Sequence, residues 1–243
     1  MRLVAWNIRA GGGRRADAIA AQICDWDADI ACLSEFRGTP PSSALAAALA
    51  TSGLRHQQTT AGPDGPAQNG LLIASRWPIA SLDLPGIPTE PRRWLAVEVP
   101  EQGCAVCLVH IPNMVTGRKW AFLEAIATVL GAWAGGPALL VGDTNCGWPG
   151  DDEETAVFGP RTAAWLDSIE ALGWRDSFRR LRAGERFFTW YSPNAGNGFR
   201  LDQAFVNEGL MPRVSATHYA WGGPPEGRRE ALSDHAALIV EID

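Results

Sequence analysis

Several apolar runs in this chain stop at, or start beside, side chains that apolar packing has no use for. LVAW (3–6) meets Asn7, IACLS (30–34) meets Glu35, and CLV (107–109) meets His110. ALLVG (138–142) leads into Asp143 and Asn145, RL (200–201) leads into Asp202, and the closing AALIVEID (236–243) follows Asp234 and His235. Short, continuous apolar runs rich in branched residues predict buried strands. A carboxylate, carboxamide or imidazole at each tip then lies along sheet edges, where layered α/β folds collect their sites.

Helical spacing fills the intervals. Residues 14–28 place Ile19, Ala20, Ile23 and Trp26 on one stripe, and 42–52 is an Ala-rich helix. Residues 116–134 start at Thr116, an N-cap residue type, and repeat Trp120, Leu123, Ala127 and Leu130; 161–173 ends at Gly173. Strands are predicted over 2–8, 29–34, 70–75, 78–83, 94–99, 104–111, 138–142, 200–206, 213–219 and 236–242, with 59–69 as loop. Hairpins mixed with strand–helix units imply mixed rather than purely parallel sheets. No linker interrupts the pattern, so one domain over 1–243 is expected, long enough to bury a sizeable core.

Composition bounds the setting. Hydrophobic residues make 46% of the chain and charged residues 20%, ordinary for a soluble globular protein, and no apolar run is as long as a membrane span. MRLVAWNIRAGGG has no cleavable leader pattern, and the 5 cysteines are odd in number and scattered. Reduced thiols in a cytoplasmic protein are the expectation. Cys104 and Cys107 lie in a strand-like run, where residues three apart face opposite sides, so CAVC reads as core packing rather than a metal pair. The net charge of -6 argues against a large non-specific DNA footprint while leaving room for a local basic patch. A monomer is the default expectation.

Taken singly, each polar tip has a bland explanation. Asp143 and Asn145 could shape a turn, Glu35 could be a solvated strand end, Asp202 could pair with Arg200 or Arg213, and His110 could be a hydrogen-bonded core histidine. As a set they carry particular chemistry. Carboxylates with a carboxamide are hard oxygen ligands suited to Mg2+ or Mn2+, and with few cysteines among them zinc is disfavoured. The histidines add proton transfer and phosphate contact. Ser233-Asp234-His235 also has the look of a serine-triad fragment, but no GxSxG elbow accompanies it, and Ser233 is left without a role.

The motif order resembles the endonuclease/exonuclease/phosphatase superfamily, most closely its exonuclease III and apurinic/apyrimidinic endonuclease branch. LVAWNIR (3–9), DIACLSEFR (29–37), NGLLIASRWPI (69–79), VHIPN (109–113), LLVGDTNCG (139–147), GWRDSFR (173–179), FTWYSPNAGNGFRLDQAFVN (188–207) and LSDHAAL (232–238) follow that family's order over nearly the whole chain. The resemblance implies an α/β (α+β) fold, a four-layered sandwich of two packed mixed β-sheets flanked by helices. It implies a catalytic Mg2+ (or Mn2+) held by Glu35 with Asn7 nearby and Asp234 in the surrounding shell. Asp143 would orient or deprotonate the attacking water, Asn145 would support it and the phosphate, and Asp202 would hold His235 against the phosphate. His110 stands where the branch usually has tyrosine; deoxyribonuclease I and sphingomyelinases have histidine there. The glutamate that pairs with this histidine in deoxyribonuclease I has no counterpart, since Gln68 and Asn69 occupy the corresponding place.

Trp190 and Trp221, with Tyr191, fall in the part that lines the family's substrate pocket, where aromatic rings stack on bases. Arg37 stands where the branch often has lysine, and Asn113 closes the VHIPN motif. Arg92, Arg93, Arg118 and Lys119 either meet phosphates or are simply solvated, and solvation is the expectation. The function expected is Mg-dependent phosphodiester hydrolysis, as a DNA exonuclease or abasic-site endonuclease. An alternative is the same chemistry on a small phosphoester: a nucleotide, lipid head group or inositol phosphate. A non-catalytic binding module would require a missing catalytic residue, and none is missing at the principal positions.

Overall fold

The computed structural model describes residues 1–223 and 231–243. In chain order its elements are β1 (Arg2–Asn7), α1 (Ala16–Asp25), β2 (Ile30–Phe36), α2 (Pro40–Thr51), β3 (His56–Thr59), β4 (Gly70–Ser75), β5 (Ala80–Ser81), β6 (Trp94–Val99), β7 (Cys104–His110), α3 (Lys119–Gly131) and β8 (Ala138–Asp143). There follow α4 (Pro160–Ala171), β9 (Trp174–Asp176), α5 (Ser177–Leu181), β10 (Trp190–Tyr191), β11 (Gly198–Phe199), β12 (Asp202–Asn207), β13 (Val214–Ala220) and β14 (Ala237–Ile242).

Two six-stranded sheets run in the orders β13-β14-β1-β2-β4-β3 and β5-β6-β7-β8-β12-β9. Each is mixed. β1–β2 and β7–β8 are parallel, and the other pairs are antiparallel. Strand alternation makes the layers. Leu3, Ala5, Ile30 and Cys32 of the first sheet pack against Val106, Leu108, Leu139 and Val141 of the second. Val4, Trp6, Ala31 and Leu33 turn the other way, onto Ile19 and Ile23 of α1 and Leu45 and Leu49 of α2. Cys107, Val109 and Leu140 face Phe122, Ile126, Trp165 and Ile169 of α3 and α4. The result is the expected four-layered sandwich. Non-directional apolar burial drives it, and the period of two decides which face each residue covers.

Cys104 lies between the sheets and Cys107 under the helices, and both thiols are free, so CAVC is core as expected. α3 starts three residues later than predicted. Met114–Thr116 form a 3-10 turn, and Gly117 at φ 70 breaks the path before Lys119. The predicted strand 78–83 shrinks to the two exposed residues of β5, since only Ala80 and Ser81 pair with β6. β3 lies in HQQT, just before the stretch read as loop; it is a polar edge strand paired with β4.

Candidate active site

The two parallel pairs direct the C-terminal ends of β1, β2, β7 and β8 to one edge of the sandwich. β12 and β14 run antiparallel to β8 and β1, so their N-terminal ends arrive at the same edge. Asp202 therefore opens β12, where the sequence suggested a strand already under way at 200. Register sets the neighbours. His110 and Asp202 each stand directly beside Asp143, on either side of β8. Asn7 is paired with Ser34, next to Glu35.

Backbone geometry at this edge is unusual. Gly142, immediately before Asp143, has φ 134, and a Cβ there would sit 2.1 Å from the Val109 carbonyl oxygen, so only glycine allows β7 and β8 to approach this closely. Glu35 (φ 59) and Asn145 (φ 49) occupy the left-handed region without being glycine. Such strain persists where surrounding contacts over-determine it. Glu35 sits at the β2–β4 register shift, with its carbonyl accepting the Gly11 amide (2.8 Å) and Oε2 accepting the Ala10 amide (2.7 Å). Asn145 donates through Nδ2 to the Ile111 carbonyl (2.8 Å).

Asp143 is the centre. Oδ1 accepts the Asn145 amide (3.0 Å), and Oδ2 accepts Asn7 Nδ2 (3.0 Å). The same Oδ2 lies 3.6 Å from His110 Nε2 and 4.0 Å from His235 Nε2. The other nitrogen of His235, Nδ1, is 2.9 Å from Asp202 Oδ2. Burial raises the Asp143 pKa and Asp202 adds to the rise, against the two histidines and Asn7. Burial pushes His110 down to about 4, helped by Arg93 and His235 and opposed by Asp143. Burial also favours neutral His235, but the charge and hydrogen bond of Asp202, followed by Asp143 and Asp234, outweigh it and raise the imidazole to about 9. Two histidines flanking one carboxylate thus hold opposite charge states at neutral pH: His110 neutral, His235 cationic.

These groups open into a cavity of about 660 Å³ whose lining includes Glu35, His110, Asn113, Asp143, Asn145, Asp234 and His235. Its other wall is apolar: Trp120, Phe158, Trp190, Phe199 and Leu201, with Met114, Val115 and Val157 exposed at the rim. Trp190 is half-buried, tilted against Phe199 and against His235 with centroids 6.0 and 6.2 Å apart, so it backs the imidazole while facing the cavity. Trp221 does not line the cavity. The next residue, Gly222, lies flat on the Trp6 indole near Trp26, which pins that segment to the helix-covered face of the first sheet. Arg37 lines a neighbouring pocket of about 590 Å³ together with Arg92, Arg93 and Arg118, and donates from Nε to Asn69 (2.7 Å). In the same pocket Glu90 pairs with Arg93 (3.3 Å) and Arg118 (3.4 Å), and Arg93 also donates to the His110 carbonyl (3.0 Å), joining the two pockets.

Three contributors escaped the sequence reading. Lys119 is buried, not solvated: only 3% exposed, it lines the cavity and donates to the Asn145 carbonyl (2.5 Å). Ser233 gains a structural role by donating to the Asn7 carbonyl (2.6 Å) and accepting the His235 amide (3.3 Å), which ties β1 to the final motif. Arg200 does not pair with Asp202. It is fully buried and bonds Asp152 (2.7 and 2.9 Å), Asp176 (2.5 Å) and the Tyr219 hydroxyl (3.1 Å), while Tyr219 donates to the Asp202 carbonyl (2.8 Å). A buried arginine and a surface one look alike in sequence, so none of this was legible there.

A buried carboxylate flanked by two imidazoles lies at the edge of a mixed-sheet sandwich. The sequence profile of the Endonuclease/Exonuclease/phosphatase family matches residues 4–235, and the chain belongs to that family, which makes it a phosphoester hydrolase. Its fold is similar to that of the 3'-5' exonuclease (NExo) from Neisseria meningitidis, at TM-score 0.81 and 22% identity over 100% of both chains. It is also similar to a Neisseria 3' phosphatase bound to a product DNA hairpin (TM-score 0.80, 22% identity, 100% of this chain and 99% of that). An AP endonuclease from Archaeoglobus fulgidus superposes at TM-score 0.81, with 19% identity over 100% of this chain and 99% of that one. No curated protein matches the chain in sequence.

Proposed function

We propose that this protein is a divalent-cation-dependent phosphodiesterase acting on DNA, as a 3' exonuclease or abasic-site endonuclease. The observation that carries the reading is the Asp143 carboxylate, shared by Asn7, His110 and His235, with Asp202 behind His235. Asp143 is held at both oxygens, which fixes the direction in which it takes a proton from water and places that water in line with the leaving oxygen. Cationic His235 directs Nε2 at a phosphoryl oxygen, while Asp202 accepts from Nδ1 and holds the ring. Neutral His110 donates a hydrogen bond without adding charge. Asn145 and Asn7 keep the carboxylate in place.

The oxygen donors fit a hard cation. Glu35 lines the cavity; its Oε2 is taken by the Ala10 amide, while Oε1 has only a long 3.4 Å contact from Asn7. Among the described residues no three His, Cys, Asp or Glu side chains converge as a metal cage; Mg2+ commonly binds through one or two carboxylates and keeps several waters. Glu35, with Asp234, would hold Mg2+ or Mn2+. Asn7, expected in the metal set, turns its Nδ2 to Glu35 and Asp143 while its Oδ1 accepts the Arg9 amide (3.0 Å), so it would steady Glu35 rather than ligate the ion. When bound, that ion would neutralise charge developing on the phosphoryl oxygens.

Nucleic acid is favoured over a small phosphoester by two neighbouring surfaces. The apolar wall around Trp190 and Phe199 offers a face to a base or sugar. The pocket of Arg37, Arg92, Arg93 and Arg118 offers charge to phosphates beyond the one being cleaved, on a chain whose net charge is -6. The test is a panel with Mg2+ comprising abasic duplex, recessed 3' duplex, single strand, RNA and small phosphoesters. Cleavage of a DNA member is expected; hydrolysis of the small esters alone would contradict the proposal. Arg37, Asn113 and Trp190 stand as proposed substrate contacts. One domain remains part of this reading, supported by the family match over 4–235; a monomeric state and a cytoplasmic setting are proposed with it.

A further inference from the structure

Asp202 and His235 belong to different sheets. Asp202 opens β12 of the second sheet, and His235 precedes β14 of the first. Apolar burial holds the sheets together, and that force is non-directional. It cannot by itself keep two polar atoms at 2.9 Å. Directional contacts bridging the sheets are needed. The Tyr219 hydroxyl of β13 supplies one to the Asp202 carbonyl (2.8 Å), and a residue that neither sheet contains supplies several more.

That residue is Thr189, fully buried and absent from the cavity lining. Its hydroxyl oxygen accepts the Leu201 amide (2.9 Å) and the Asp202 amide (3.3 Å). Its carbonyl accepts the Ala236 amide (2.8 Å), and its own amide donates to the Phe199 carbonyl (2.8 Å). Trp190, next in sequence, forms an antiparallel bridge with His235. The two lone pairs of one hydroxyl thus hold the start of β12, while the carbonyl a few bonds away holds the start of β14.

We infer that Thr189 is a positioning residue that sets the Asp202–His235 pair across the two sheets. The inference rests on the proposed roles of that pair. A threonine stabilising the core alone would also be buried and bonded. What separates the readings is whether its effect passes through Asp202. Valine is isosteric with threonine but leaves two buried amides without an acceptor, whereas serine keeps the hydroxyl.

The experiment is a double-mutant cycle on the full chain, with bis(p-nitrophenyl) phosphate and duplex DNA as substrates in Mg2+. It reads kcat, KM and Tm for Thr189→Val, Thr189→Ser, Asp202→Asn and Thr189→Val with Asp202→Asn. Misplacement of a reacting group by about 1 Å costs about 10²-fold, so Thr189→Val is expected to lower kcat by about that much with KM little changed. Thr189→Ser should restore most of it. In the Asp202→Asn background Thr189→Val should remove little more. An equal kcat loss in both backgrounds, or wild-type kcat in folded Thr189→Val, would overturn the inference. Full activity of Asp202→Asn would overturn the reading of the site itself, and with it the pair Thr189 is said to serve. Thr189→Ala runs the same cycle should Thr189→Val not fold.

Discussion

At the residue scale, charge state and held direction matter more than identity. Glu35 lines the cavity and is kept in a left-handed conformation, with one oxygen committed to the Ala10 amide and the other held only by a long contact from Asn7. Replacing it by glutamine preserves the bond from Ala10 and removes the charge. Glu35→Gln should therefore leave the Tm nearly unchanged and weaken Mn2+ binding at least tenfold, read by calorimetric titration of the protein alone. Equal Mn2+ affinity in both proteins would move the metal elsewhere. The histidines make the complementary point. The same aspartate pulls on both, yet His110 lies beside Arg93, while His235 has Asp202 and Asp234 as well, so one stays neutral and the other charged.

At the element scale, the fold brings groups together by register. Gly142→Ala would force β7 and β8 apart at the level of His110 and Asp143, and should cost at least about 1–3 kcal/mol in denaturant unfolding together with most activity. A wild-type midpoint would show that the strands tolerate the added methyl. The Arg200–Asp152–Asp176 cluster braces β12, β9 and the loop after β8. Burial alone would raise the Asp152 pKa, but Arg200 and Arg179 outweigh it and hold the carboxyl below its ordinary 3.8. A depressed folded pKa gives stability that is complete above the unfolded value and lost as pH falls through the folded one. Asp152→Asn should cost about 3–5 kcal/mol at neutral pH, since it leaves buried arginine undercompensated. The gap from wild type should close as pH drops below 3.8, and a gap independent of pH would contradict this.

The strand tips were legible in sequence because buried strands announce themselves by apolar runs, and what ends a run lies at a sheet edge. So Asn7, Glu35, His110, Asp143 and His235 could be placed at strand tips from the sequence, and together if those strands share an edge. Asp202 fell inside the predicted strand 200–206, and its pairing with His235 came from the family resemblance. What stayed hidden has physical causes. β3 is polar, and β9, β10 and β11 span three or two residues, so periodicity has nothing to register. Thr189 acts through backbone amides, which every residue except proline has. Arg200 and Lys119 are charged residues whose burial depends on partners distant in sequence.

At the scale of the whole molecule, the chain is acidic overall, while the pocket beside the site gathers Arg37, Arg92, Arg93 and Arg118 around Glu90. No described helix is long and apolar enough to cross a membrane. If the arginine pocket meets phosphates, DNA affinity should fall with salt. Arg92→Ala with Arg118→Ala should then flatten the slope of log affinity against log salt by about 1 for each phosphate no longer neutralised. An unchanged slope would assign those arginines to the surface alone. The central claim, that Asp143 activates water against a DNA phosphodiester, is tested most directly by single-turnover cleavage of abasic and recessed 3' duplexes in Mg2+, wild type beside Asp143→Asn. The account predicts metal-dependent cleavage of at least one duplex and a loss of about 10²–10⁴-fold in the variant, with the fold intact. Wild-type rates from a folded Asp143→Asn, or no cleavage of either duplex by the wild type, would contradict it.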